Sequence, residues 1–464
     1  MDGIVQWLGA NESAISAVVG LIALIGLVAN FLVQFSRRLR KTATSSPRVD
    51  SSGSVVGEPG RVISRSTGST GETVLAVMPI TDASYDERDD DWAFELREDM
   101  KALLARSSLF RVIFLDRPQT PEELHADGTH YALHIGVRPQ GEQVRINTQL
   151  VDVRTSQHIW SAVYTRPLAA AVEDSDEVAH IMSTQLVVPI VESEVRHTLA
   201  RDIKDLDSAA LTRLAYHAFL FGGHDAQSFI ETRKLANWAL EANPRDARAL
   251  ATRAVTIATG VIFGFSEDPE GDRLLAFEDA AMAIKLAPMD AIALHARGWV
   301  STYFRSFKEG APFLAKAVAA DPTNAHIRAD YGFMLLGCGD LEGATEKVEE
   351  AFKLSPQDPR QYIWSYFRAS IARAKGDYDE ALAHLDHTIA FAPYPPAYLS
   401  KILIYLIRED NQLAKETMIE LANRFHPHYS KQKFVENFTR LARTDELTSK
   451  MHVIAAEWPT DLAC

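Results

Sequence analysis

One helix ending keeps returning through the second half of this chain, and its interval is the tightest constraint on what the chain can fold into. "NWALEANPRD", "AMAIKLAPMD", "AKAVAADPTN", "EEAFKLSPQD" and "DHTIAFAPYP" close on Pro244, Pro288, Pro322, Pro356 and Pro393. Proline cannot continue a helical ladder, so each marks a stop. Pro288, Pro322 and Pro356 are spaced by 34 residues, Pro393 follows at 37 and Pro244 precedes at 44. Small residues keep step with them. Ala276, Gly310, Ala344 and Ala381 lie 12 positions before their prolines, and Ala239, Ala283, Ala317 and Ala351 lie 5 before, with Thr388 the exception. Gly298, Gly332 and Ala369 lie 24 before theirs. Small side chains let helix backbones approach closely, so the pattern predicts antiparallel helix pairs meeting along narrow seams. Each pair leaves an apolar face that only the next pair covers, which makes a solenoid.

The 34-residue interval and these small positions resemble the tetratricopeptide (TPR) repeat. About six helical pairs fit between 205 and 427, and residues 428–464 read as capping helices. Leu220 and Thr232 stand in the first pair where small residues are expected, and "TGVIFGFSEDPE" (259–270) is an insertion in the second. Gly339 and Gly376 mark turns inside two repeats. The resemblance implies a concave groove, lined by the first helix of each repeat, that holds a segment of a protein partner. Facing away from the seams are Ile292, His295, Trp299, Thr302 and Tyr303, then His326, Phe333 and Leu336, then Tyr366, Ser370 and Arg373. Aromatic and Arg side chains are the usual anchors of interfaces, so His295, Trp299, Tyr303, Phe333, Tyr366 and Arg373 form the candidate groove. The Lys and Asn of carboxylate-clamp TPR proteins are absent there, which points to an apolar or aromatic-bearing segment as ligand.

Residues 1–12 are a short tail, and Ser13 to Ser36 carry no charge. Their apolar run would span about 33 Å as a helix, enough for a bilayer core. A signal peptide needs a basic start, whereas this start carries Asp2 and Glu12. Arg37, Arg38, Arg40 and Lys41 follow at once, and the positive-inside rule then places the rest of the chain on the cytoplasmic side of the membrane. Residues 37–72 join this basic flank to a Ser/Gly/Thr-rich flexible tether.

Residues 73–198 read as a β-α-β-α-β-β-β-α unit, a mixed sheet with helices packed on it and a long helix at about 172–200. In "QVRINTQLVDV", Val144, Ile146, Thr148 and Leu150 alternate with Arg145, Asn147 and Gln149. "VLAVMPI" with the run from Tyr131 to Tyr164 resembles the TolB-like amino-terminal domain, which also stands beside the catalytic domain of some bacterial class III adenylate/guanylate cyclases. Ser156 occupies a turn where that family usually has glycine. The fold expectation is therefore one transmembrane helix, an α+β domain and an all-α solenoid.

Catalytic constellations are missing from the sequence. "STGSTGET" lacks the strand–loop–helix setting and lysine of a P-loop. His125, His130 and His134 have no acidic partner at ligand spacing, and the acidic run Asp86 to Asp91 reads as a helix start. Cys338 and Cys464 form neither a metal-ligand spacing nor a disulfide framework. No cofactor or metal is expected. The net charge of −14 argues against a general nucleic-acid binder. The reading that follows is a non-enzymatic, membrane-anchored TPR adaptor in signalling or regulation. The alternative is an envelope transport or assembly component with its body in the periplasm.

Overall fold

The computed structural model describes residues 72–82, 87–167, 175–427, 429–442 and 444–459. The expected membrane span 13–36, the basic flank Arg37, Arg38, Arg40 and Lys41, and the tether up to residue 71 lie outside the described residues. Among the described residues no helix is long and apolar enough to cross a membrane.

The first part is a mixed sheet. Strands β1 (Val74–Val77), β2 (Thr81–Asp82), β3 (Arg111–Phe114), β4 (Tyr131–Gln140), β5 (Gln143–Asp152) and β6 (Gln157–Pro167) alternate with helices α1 (Glu87–Leu104) and α2 (Pro121–Ala126). Their order is β3-β1-β4-β5-β6, with β2 paired to β4. β1 runs parallel to β3 and β4, while β4, β5 and β6 form an antiparallel meander. The alternation in β5 becomes burial: Val144, Ile146, Thr148 and Leu150 face the core. Val144, Ile146 and Leu150 pack with Trp92, Leu96 and Met100 of α1 and with Val178, Met182 and Ile190. Ser156 turns the β5–β6 hairpin with φ 56, the left-handed backbone that glycine would adopt more cheaply.

The single long helix expected at about 172–200 is instead two, α3 (Ser175–Gln185) and α4 (Val187–Leu199). Pro189 explains the break, since it cannot donate to the carbonyl four residues back and its ring collides with it.

From Ser208 onward the described chain is helical hairpins. The pairs are α5 (Ser208–Phe221) with α6 (Ala226–Ala242), α7 (Ala247–Phe263) with α8 (Pro269–Leu286), and α9 (Ala291–Phe304) with α10 (Phe307–Ala320). They continue as α11 (Ala325–Cys338) with α12 (Leu341–Leu354), α13 (Gln361–Lys375) with α14 (Tyr378–Phe391), and α15 (Pro395–Ile407) with α16 (Asn411–Phe425). α17 (Lys431–Ala442) and α18 (Asp445–Ala455) close the array through Phe434, Phe438 and Met451, which bury against Leu403 and Leu406 of α15.

The recurrent ending is a stop followed by a start. Two residues beyond Pro244, Pro288 and Pro322 stand Asp246, Asp290 and Asn324, whose side chains accept the backbone N–H groups that open α7, α9 and α11. The small positions are the seams. Ala276, Ala344, Ala381, Ala239, Ala283, Ala317 and Ala351 are fully buried. A Cβ on Gly298 would stand 1.9 Å from Leu314 Cδ2, and one on Gly310 would stand 2.5 Å from the Gly298 carbonyl oxygen. Thr388 fits its seam because its hydroxyl donates to the His384 and Tyr362 carbonyls. Gly339 and Gly376 end α11 and α13 at φ 90 and φ 85.

The two parts touch. Ser108, between α1 and β3, donates from its N–H (2.9 Å) and its hydroxyl (2.6 Å) to Asp321, at the end of α10. His180 of α3 meets the carbonyl of Pro322 at 2.8 Å, and Glu177 pairs with Lys353 of α12 at 3.0 Å.

Candidate functional site

The first helices of the repeats, α9, α11 and α13, bring most of the sequence-designated groove residues into one chain of rings. Tyr303 lies 4.8 Å from Trp299 between ring centroids, Trp299 stacks on Phe333 at 6.1 Å, and Phe333 meets Tyr366 at 6.1 Å. Tyr366 reaches Tyr394 at 5.2 Å, and Tyr394 meets His224 at 4.9 Å and Phe263 at 5.6 Å. His224 comes from the α5–α6 turn and Phe263 from the end of α7. The insertion after α7 thus folds back over the inner face, with Phe265 packed on Phe229 and Phe263.

This placement differs from an open groove. Trp299 and Tyr366 are each only 7% exposed and His295 2%, while Tyr303 and Phe333 are partly covered. The reason is visible in the sequence only afterwards: an array lined by large rings buries more apolar area by closing on its own aromatic insertion than by leaving the rings in water. Arg373, in the last turn of α13, takes no part in the ring contacts among the described residues. It is partly exposed, while its buried Nε has no hydrogen-bond partner.

Beneath Trp299 the inner face turns polar. Asp330 of α11, buried, accepts the Trp299 indole N–H at 2.8 Å, and the His295 Nε2 stands 2.7 Å from the same carboxylate oxygen. His326, one helical turn before Asp330, sets its Nε2 3.3 Å from that oxygen, yet neither ring nitrogen makes a hydrogen bond. Burial favours the neutral His326 and pushes it down to about 3. Burial works to raise the Asp330 carboxyl, but the His326 and His295 rings and the indole N–H outweigh it and hold it below its ordinary value. His295, His326 and Asp330 are the group among the described residues whose ligand atoms lie close enough for one metal ion, all within 4.8 Å of one another. The sequence puts His295 and His326 on the groove face, but no ligand spacing joins them because His295 belongs to the preceding repeat. The available signal was the His326/Asp330 spacing of four on one helix face. By contrast, His125 and His134 are exposed, and His130 uses its Nδ1 to accept the Val74 N–H at 3.0 Å.

A second polar cluster ties the sheet to α4. Arg154 bridges Asp152 at 3.1 Å and Glu194 at 2.8 Å, and the Tyr131 hydroxyl donates to Glu194 at 2.8 Å. Burial tends to raise Asp152, but hydrogen bonds from Arg154 and His197 overcome it and lower the carboxyl to about 2. Glu194 also borders a cavity of about 510 Å³ at the junction with the repeats, lined further by Ser108, Thr212, Arg213, Asp246 and Arg248.

The stacked hairpins with buried small-residue seams define a TPR-like solenoid carrying a small mixed sheet. No family model matches the chain. Over 196 residues it is 28% identical to "Putative adenylate cyclase 3" of Rhizobium meliloti (strain 1021), a match covering 40% of this chain and 33% of that protein. The chain thus spans about a third of the length of this curated relative. Among solved structures it is similar to PilF of Pseudomonas aeruginosa, at 18% identity and a TM-score of 0.32 over 53% of this chain and 96% of that one. It is also similar to TolB from Acinetobacter baumannii, at 16% identity and a TM-score of 0.19 over 24% of this chain and 27% of that one.

Proposed function

We propose that this chain is a non-enzymatic, membrane-anchored adaptor of bacterial signalling. Residues 13–36 cross the inner membrane, Arg37, Arg38, Arg40 and Lys41 hold the cytoplasmic side, and the repeats bind a protein partner. The observation that carries the reading is the solenoid: stacked hairpins present a long continuous surface to a protein segment. Arg373 is taken as the contact, because its side chain, partly exposed in the last turn of α13, is the member of the groove set left outside the ring contacts among the described residues. The match to a putative adenylate cyclase supports a signalling setting over an envelope-transport one. The sheet unit, read as a TolB-like domain, serves as a second contact surface.

Two measurements on the full chain test this. A reporter fused after Cys464 is expected to show cytoplasmic-type activity; periplasmic-type activity overturns the topology. Capture from detergent extracts compares the natural chain with Arg373→Glu, each first shown to be folded by circular dichroism. Loss of a co-purifying protein from Arg373→Glu is expected, and identical recovery removes the proposed contact. A chain beginning at Gly71 is expected to leave the membrane fraction, and its continued sedimentation with membranes sinks the single-anchor model.

A further inference from the structure

We propose that His295, His326 and Asp330 form a divalent transition-metal site, with zinc as the fitting ion, that ties the third helical pair to the fourth. Two imidazoles and one carboxylate are a donor set that zinc accepts, with a water completing the coordination. The spacing is close to what one ion needs. Ligand atoms around a four-coordinate zinc stand about 3.3 Å apart, given bonds of about 2.0–2.1 Å. His326 Nε2 and Asp330 Oδ2 are 3.3 Å apart, and the three ligand atoms all lie within 4.8 Å. The His295–Asp330 contact of 2.7 Å has to open by about half an ångström, a side-chain adjustment.

His326 is the independent observation. It is 5% exposed, and neither ring nitrogen has a hydrogen-bond partner. A buried imidazole left in this state costs free energy unless something binds it. An imidazole with neither nitrogen engaged has a lone pair to give to a metal. The charges beyond it cancel, because Asp358 and Arg360, which both act on His326, pair with each other at 2.7 Å. The site then presents the single negative charge of Asp330 to a dication. The Trp299 N–H, 2.8 Å from Asp330, is the outer-shell donor that fixes the carboxylate.

The full chain is purified in detergent, stripped with a chelator, and titrated with zinc by calorimetry and with cobalt by visible absorption. One zinc per chain, a rise in Tm on loading and the d–d bands of four-coordinate cobalt are expected. His326→Leu should lose all three while its metal-free form stays folded by circular dichroism, because the imidazole it removes makes no hydrogen bond. Asp330→Asn, which keeps the shape, should also lose binding, and Trp299→Phe should weaken it about 10–100-fold. A natural chain that takes up no stoichiometric zinc, or either ligand variant binding zinc as the natural chain does, overturns the proposal.

Discussion

Where α9 meets α10, Gly298 and Gly310 leave no room for one more carbon. On the inner face of the same α9, Trp299 and Tyr303 fill the space with large rings and hand on to Phe333 and Tyr366 in the next two repeats. The seam is specified by what is absent and repeats with the period of the hairpin. The inner face is specified by what is present, and it is assembled from places far apart in the chain: Tyr362 shares a hydrogen bond of 2.9 Å with His224, 138 residues earlier. Two layers of one helix thus carry different jobs. The seam fixes the stacking, and the face decides how the stacked array closes.

The largest effect should come from emptying the face. Trp299→Ala removes a buried indole and one donor to Asp330, and should cost about 3–5 kcal/mol in denaturant unfolding. A loss under about 1 kcal/mol would mean that the face is not part of the core. Filling a seam should cost less: Ala344→Leu overpacks the α11–α12 contact and should lower stability by about 1–3 kcal/mol. Because neighbouring pairs share interfaces, its hydrogen-exchange protection should fall in α9 and α13 as well. Loss confined to α11 and α12 would separate the repeats from one another.

Acid distinguishes the face from the sheet. Burial pushes His224 and His217 each down to about 4. An unfolded chain takes up those protons near pH 6.5. Stability from these residues is therefore present above about 6.5 and lost as pH falls toward 4, by roughly 3 kcal/mol per group. Asp152, lowered to about 2, contributes stability present above about pH 4 and lost as pH falls through 2. Hydrogen exchange followed with pH should show the repeats loosening before the sheet, and His224→Phe should flatten the upper window. The reverse order would contradict the buried-imidazole account. The smallest effect belongs to the outer surface. Met289→Gln, at a side chain 77% exposed, should change stability by no more than about 0.5 kcal/mol.

The same contrast explains what could be read from the sequence. The seams were legible because close packing of helices demands small residues at a fixed interval. The β5 strand was legible because a pleated strand with one buried face must alternate. The break at Leu186 lay in view at Pro189 but was overridden by a continuous helical pattern. The inner face was legible only as a set of helix positions. Helical spacing says which side chains share a face, and nothing about Phe263 and Phe265 arriving from another repeat to cover them. The polar set was hidden for the same reason: His326 and Asp330 share one helix, while His295 stands on the preceding first helix, outside any motif window.

The sheet unit touches the array at well-separated points: Arg213 of α5 stands 3.9 Å from Glu194, Asp321 and Pro322 hold Ser108 and His180, and Lys353 of α12 holds Glu177. A solenoid bends as a spring does, by adding small rotations from coil to coil. A rod fastened to a spring at its first, third and fourth coils stops those coils from opening independently. The inner face adds a fastening of its own, since Tyr362 and Tyr394 meet His224 of the first coil, so the bracing reaches α13 and the start of α15 and flexing is left to the coil beyond them.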